Sequence, residues 1–169
     1  GNKFTFDNLL KTTLSMEVKN ETAQLLTADS TGYVLLEKAI DSPQLNLLFT
    51  SLRAEYFMKA TLKLSSSVRC EVYLNGKLQK SSTQTSDSLP GIKPIKIPLR
   101  LEPEKDYELV VKLLSTAEDK LAPMVKCEVE PDAGFEKFTL HAAPDLKRRL
   151  SLYETTFGSR VRSVSLSPN

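Results

Sequence analysis

The sequence predicts an all-β fold, an antiparallel β-sandwich, and three observations carry that prediction. Apolar and polar residues alternate over run after run, the period-2 pattern of strands with one buried face. Turn residues recur about every ten positions, the spacing of sandwiches and barrels. Helix signals are confined to residues 6–18, where Asp7 is a suitable N-cap for a turn or two.

The elements follow in order. After a turn signal at Ser30, Thr31 and Gly32, residues 33–36 make a short apolar strand. Residues 44–54 place Leu45, Leu47 and Phe49 on one parity and Leu48 and Leu52 on the other. In residues 57–65, Met58, Ala60, Leu62 and Leu64 share one face and Lys59, Thr61 and Lys63 the other. Val68, Cys70, Val72 and Leu74 continue the inward set, with Arg69, Glu71 and Tyr73 outward. Such a sheet is wet on one side.

Asn75-Gly76 is the strongest local signal. A type I′ hairpin turn needs positive φ at both central residues, which Asn and Gly tolerate. The return strand is expected over residues 77–81, and the polar stretch 81–91 reads as a loop. Ile95, Ile97 and Leu99 form the next face, but Pro94 and Pro98 remove two donors and put this strand at an edge or a bulge. A turn at residues 102–105 leads into alternating Tyr107, Leu109, Val111 and Leu113. Val125, Cys127 and Val129 give another strand between Pro123 and Pro131, and residues 135–141 read as one more. No repeat at a fixed period is visible, so this stretch is not itself a propeller or solenoid.

At 169 residues and 40% hydrophobic content, the chain fits a single domain with one core and a short appendage. Its 23 basic and 21 acidic residues leave a net charge of +2, too small to argue for nucleic acid or an acidic membrane. From His141 onward the balance is five basic residues against two acidic, a mobile basic tail in the plainest reading. No run of 18 or more apolar residues could span a membrane. The chain opens on Gly1 without Met, which reads as a residue left by tag removal, so the natural start is expected elsewhere. Cys70 and Cys127 both fall on apolar parity in Cys-Glu-Val tripeptides. Two reduced core thiols are expected, with a disulfide left open.

The residue inventory offers no enzyme chemistry. The single His, His141, lies in a linker-like zone, and no Gly-x-Ser-x-Gly elbow, phosphate loop or metal-ligand spacing occurs. Glu102 with Glu104, and Glu128 with Glu130, sit at strand ends beside Pro and read as solvated charges rather than paired acids. No catalytic residue, cofactor or metal is expected. Sugar binding would need an exposed aromatic ring beside polar groups. With no Trp and 7% aromatics, the candidate ligand contacts are Tyr73, outward on its strand, and Asn75 in the adjoining turn. Tyr33, Tyr56 and Tyr107 are expected to cover the core with their hydroxyls at the rim.

After Glu130 the composition turns to Pro, Gly and charge, in the style of a linker. The domains are therefore read as a sandwich over residues 1–130, then a linker and one strand over residues 131–169, the boundary falling near 131–145.

Two stretches resemble known families. The block from FMKATLKLSSSVRCEVYLNGK to IPLRLEPEKDYELVVKLLS, within residues 30–130, resembles the galactose-binding-like jelly-roll sandwich, a module found on secreted hydrolases including glycosidases. The tail DLKRRLSLYETTFGSRVRSVSLSPN is similar to the junction into the β-propeller of exported bacterial serine peptidases of the prolyl oligopeptidase and dipeptidyl peptidase IV family. SVSLSPN matches the opening of a blade, with Asn169 where Asp is usual, and the chain stops before the Gly. No residue here inherits a catalytic role from that family.

The resemblances imply a non-catalytic N-terminal accessory domain of a larger exported hydrolase, a propeller-containing serine peptidase in the sharpest form, cut just after the propeller begins. Its partner would be the downstream propeller or hydrolase domain of the same chain, docked through Arg148, Arg149, Arg160, Arg162 and Leu166. The alternatives are a carbohydrate-binding module with a glycan partner, and a surface adhesion or scaffolding domain.

Overall fold

The structure, a computed structural model, describes residues 24–41, 43–138, 140–142 and 161–167. The helical signal at residues 6–18 lies outside them. The described residues form two β-sheets packed face to face, an all-β sandwich whose only helical element is one 3-10 turn.

The strands are β1 (Gln24–Thr27), β2 (Val34–Leu35), β3 (Gln44–Ala54), β4 (Met58–Ser66), β5 (Arg69–Leu74), β6 (Lys77–Ser82), β7 (Ile95–Leu101), β8 (Asp106–Ser115), β9 (Met124–Pro131), β10 (Leu140–Ala142) and β11 (Val161–Ser167). The 3-10 turn, Leu89–Gly91, interrupts the polar β6–β7 connection, with Pro90 in its first turn. One sheet runs β1-β11-β3-β8-β5-β6, with β10 also on β3; the other runs β2-β9-β4-β7.

Asn75 and Gly76 take φ of 50° and 78°, as the β5–β6 hairpin turn requires. Asn75 does more than turn the chain. Its amide donates to the Glu108 carbonyl at 2.8 Å, and its Oδ1 accepts from the Glu108 amide at 2.8 Å, tying the turn to β8. The proline-bearing strand β7 is an edge strand, paired with β4 alone, because Pro98 has no donor to give a further neighbour. The strand expected over residues 135–141 is shorter than its pattern: Phe135 and Phe138 lie in successive turns, and only Leu140–Ala142 pairs.

Pairing is antiparallel except at β11, which runs parallel to both β3 and β1. β10 and β11 share one side of β3: β10 pairs with Leu52–Ala54, while β11 pairs from Leu45 to Phe49. Residues 143–160 separate the two strands in the chain. Both strands fall after residue 130, within the stretch read from composition as linker and tail, and are hydrogen-bonded to the sandwich sheet.

The core fills the space between the sheets. Leu48, Leu52, Val72, Leu109, Val111 and Leu113 come from one sheet and Met58, Leu62, Leu64, Leu99 and Val125 from the other. Inward parity at β4, β5, β7 and β9 matches the sequence pattern. β3 and β8 are different, because Leu45, Leu47, Val110 and Leu114 on their outer parity are buried too. A strand covered on both faces reads as a near-continuous apolar run, which is how LVVKLL in β8 reads. Leu113→Ala should cost about 2–5 kcal/mol, as for other fully enclosed leucines; denaturant unfolding with an unchanged m-value is the measurement.

Candidate functional site

Three connections meet at one end of the sandwich: the β3–β4 corner, the β7–β8 turn and the β9–β10 loop. Ala54, the last residue of β3, joins them. Its carbonyl accepts from the Glu104 amide at 2.8 Å, and it pairs with Leu140 at the start of β10. The β9–β10 loop is held by a chain of turns, Asp132 to Lys59, Phe135 to Asp132 and Phe138 to Phe135, and by Thr61 Oγ1 donating to Asp132 at 3.0 Å.

Aromatic side chains concentrate here. The rings of Tyr56 and Phe138 lie 5.4 Å apart, Phe135 and Phe138 6.0 Å, and Phe57 and Phe135 5.9 Å in an edge-on pair. The Arg100 guanidinium stands 4.9 Å over the Phe57 ring. Tyr56 is 60% exposed, so one side of a large ring supported by Phe138 is presented to solvent. The strand pattern reads Tyr56 as a core cover. Its place between two strands, where parity stops applying, is the signal for exposure.

Beside the rings lies a charged triad. Arg53 donates to Glu104 Oε2 at 2.6 Å and to Asp106 Oδ1 at 3.3 Å. The Glu104 bond, then the Asp106 bond, hold Arg53 above its ordinary pKa. Glu104 itself has φ of 58°, at a turn position that favours Gly or Asn. A strained residue that keeps its carboxylate is an observation from which function can be argued.

The sequence-derived contacts lie on β5 and in its turn, where both make contacts within the domain. Tyr73 lies on the outer face of its sheet as expected, but the Lys112 ammonium sits 4.5 Å from its ring centroid. Its hydroxyl is within hydrogen-bonding distance of Glu71 at 3.2 Å and of Lys112 at 3.4 Å. Burial pushes Lys112 below its ordinary pKa, with Glu71, its cross-strand partner, holding it partly up. Asn75 accepts the Glu108 amide with Oδ1 and is itself exposed. Of the docking candidates, Arg148, Arg149 and Arg160 lie outside the described residues. Arg162 and Leu166 sit in β11, in register with Asn46 and Leu26.

Cys70 and Cys127 are free thiols on facing sheets. Burial pushes Cys70 up to about 11 and Cys127 to about 12, the second also raised by Cys70. Among the described residues no group of three His, Cys, Asp or Glu could hold a metal, and no helix is long and apolar enough to cross a membrane.

No protein-family model matches the chain, and no curated protein matches it. Among solved structures it is similar to a family 35 carbohydrate-binding module from an environmental isolate, at 14% identity and a TM-score of 0.39, covering 70% of this chain and 94% of that one. It is also similar to a GH31 α-xylosidase from Xanthomonas citri, at 14% identity and a TM-score of 0.33, covering 61% of this chain; the chain spans 12% of that enzyme. At these values neither similarity carries a functional argument, which rests on the residues.

Two outcomes follow. Both thiols should resist a disulfide reagent at pH 8 in native protein and react fully in denaturant, since the thiolate is the reactive form. Glu104→Gly should move stability by less than about 1 kcal/mol. Relief of left-handed strain, roughly 1–2 kcal/mol, is offset by about 0.4–1 kcal/mol of extra unfolded-state freedom. Both variants lose the carboxylate, but Glu104→Ala also keeps the left-handed strain, so it should be the less stable of the two in chemical denaturation.

Proposed function

We propose that this sandwich is a non-catalytic binding module that takes a carbohydrate at the end carrying Tyr56. The observation that carries the reading is the exposed Tyr56 ring, backed by Phe138, beside the Arg53–Glu104–Asp106 triad. A sugar ring has one apolar face of C–H groups and an equator of hydroxyls. The apolar face stacks on the exposed side of Tyr56. The hydroxyls donate to the carboxylates and accept from the guanidinium, in charge-assisted bonds stronger than neutral ones. Arg53 is held by its two acids before any ligand arrives, which lowers the ordering cost of binding. Tyr56 and the three charges are all largely exposed, so affinity is expected between about 1 mM and 10 μM, roughly −4 to −7 kcal/mol.

The galactose-binding-like pattern supports placing such a module on a larger exported hydrolase, where it would hold substrate or a partner while another domain does the chemistry. A serine peptidase with a propeller is the form that SVSLSPN supports. Reading the gene beyond Asn169 tests that context independently of sugar binding.

The binding reading is tested by calorimetric titration against a panel of neutral and acidic oligosaccharides. At least one should saturate, and Tyr56→Ala should weaken it about tenfold or more, given stacking worth roughly 0.5–1.5 kcal/mol beyond the area it covers. A flat titration across the panel, or a Tyr56→Ala protein that binds as wild type, removes the proposal.

A further inference from the structure

β4 and β7 place like charges opposite one another. On the outer face of the four-stranded sheet, Lys59 is in register with Arg100 and Lys63 with Lys96. Side chains directly opposite on an antiparallel pair stand about 4.5–5.5 Å apart at Cβ, and like charges there destabilise the sheet. The two rows are four residues apart, about 13 Å at the rise of a strand. Thr61 and the exposed Pro98 lie between them.

The charges of this face sort by strand. Its acids, Glu128 and Glu130, lie on β9, where Glu128 meets Lys126 at 3.5 Å and Glu130 meets Lys63 at 2.8 Å. The β7 side carries no such compensation. The side chains of Lys59 and Lys96 have no hydrogen-bond or ion-pair partner among the described residues, and Arg100 stands over the Phe57 ring. Lys80, on the edge of the other sheet, brings a further ammonium to the Lys96 carbonyl at 3.3 Å. No acid occurs between Asp87 and Glu102 in the chain.

Cations on an edge strand discourage pairing with a second sheet, which accounts for Lys96 and Arg100. It does not account for Lys59, on a strand with a neighbour on each side. An acid at that position would attract Arg100 instead of repelling it. A regular ladder that keeps this repulsion is explained by a partner that supplies the missing negative charge.

We infer that the β4–β7 seam binds a linear sulfated polysaccharide, with one sulfate ester at Lys59 and Arg100 and another at Lys96 and Lys80. A sulfate ester has three free oxygens and stays ionised at every ordinary pH, so one group reaches two cations in charge-assisted bonds. Lysine at three of these four positions supplies point charges rather than the planar fork that matches a carboxylate. The six side chains of the seam include no aromatic ring on which a nucleic-acid base could stack. Through Phe57 the Lys59–Arg100 row adjoins the aromatic cluster that ends in Tyr56, so a polymer on the seam continues toward that ring. The choice of a sugar polymer rests on the reading of Tyr56 given above; the anion-binding seam rests on the charges.

The probes are dextran sulfate and unsulfated dextran of the same length, titrated onto the whole chain and followed by calorimetry and amide NMR shifts. Dextran sulfate should saturate and shift the amides of β4 and β7, and dextran should leave them in place. Binding should weaken about tenfold or more between about 50 and 200 mM salt, as displacement of roughly two condensed counterions requires. Lys96→Gln combined with Arg100→Gln should weaken dextran sulfate about tenfold. The same variant should keep or raise the unfolding midpoint, because a repulsion is relieved. Lys38→Gln combined with Lys77→Gln removes as much charge from other exposed positions and should change binding by less than about twofold. The assignment is overturned if dextran sulfate does not saturate, if the two double variants lose equally, or if a DNA duplex or anionic phospholipid vesicles bind the seam as tightly. A flat sugar panel with dextran sulfate still on the seam removes the Tyr56 reading and leaves the charge-dependent seam. A neutral sugar that saturates at Tyr56, with no dextran sulfate on the seam, does the reverse.

Discussion

β3 and β8 pair without interruption from Gln44 with Ser115 to Arg53 with Asp106, and away from the Arg53–Asp106 end both strands carry buried residues on both faces. The rest of the domain depends on that double burial. On the inner side the pair supplies Leu48, Leu52, Val111 and Leu113 to the core that the four-stranded sheet closes. On the outer side it forces Lys112, 3% exposed, into a place where an unpaired ammonium would be costly. Tyr73 and Glu71 answer that demand, one with its ring and hydroxyl, the other with its charge. Tyr73 is thus a half-buried partner of Lys112.

The same pair locates the aromatic end. Where it finishes, Arg53 and Asp106 face each other across the ladder, and the β7–β8 turn brings Glu104 to the same guanidinium. Ala54 then fastens that turn and β10 together, and the chain leaves β3 through Tyr56. An exposed ring and a preset charged group at one end are therefore consequences of where the longest ladder stops.

Much of the fold was legible because period-2 patterning and turn chemistry are local. The inward set Met58, Ala60, Leu62 and Leu64, the Asn75-Gly76 hairpin and the edge status of β7 all follow from residues within a few positions of each other. Partners are not local. The period-2 pattern of VRSVSLS announces a strand, but nothing in it names β3 and β1 or sets a parallel direction. The site was less legible for a related reason. Tyr56 sits in a corner, where alternation gives no orientation, and Phe135 and Phe138 imitate a strand while folding into turns. Lys112 has the parity of a solvated face, and only the cover on that face buries it. Arg53, Glu104 and Asp106 read as ordinary surface charges until the ladder and the turn bring them together.

β11 lies between β1 and β3 in its sheet, so the first described strand is attached to the sheet through the last one. On a ribosome this order has a cost in time. β3 can pair with β8 long before residues 161–167 are made, and until then the other side of β3 offers unpaired amides and carbonyls beyond the stretch that β10 covers. Such an edge is a template for any extended chain nearby. Synthesis at about 5–20 residues per second leaves it open for seconds. The segment in greatest need of a chaperone during synthesis is therefore a strand that ends up in the interior of the finished sheet.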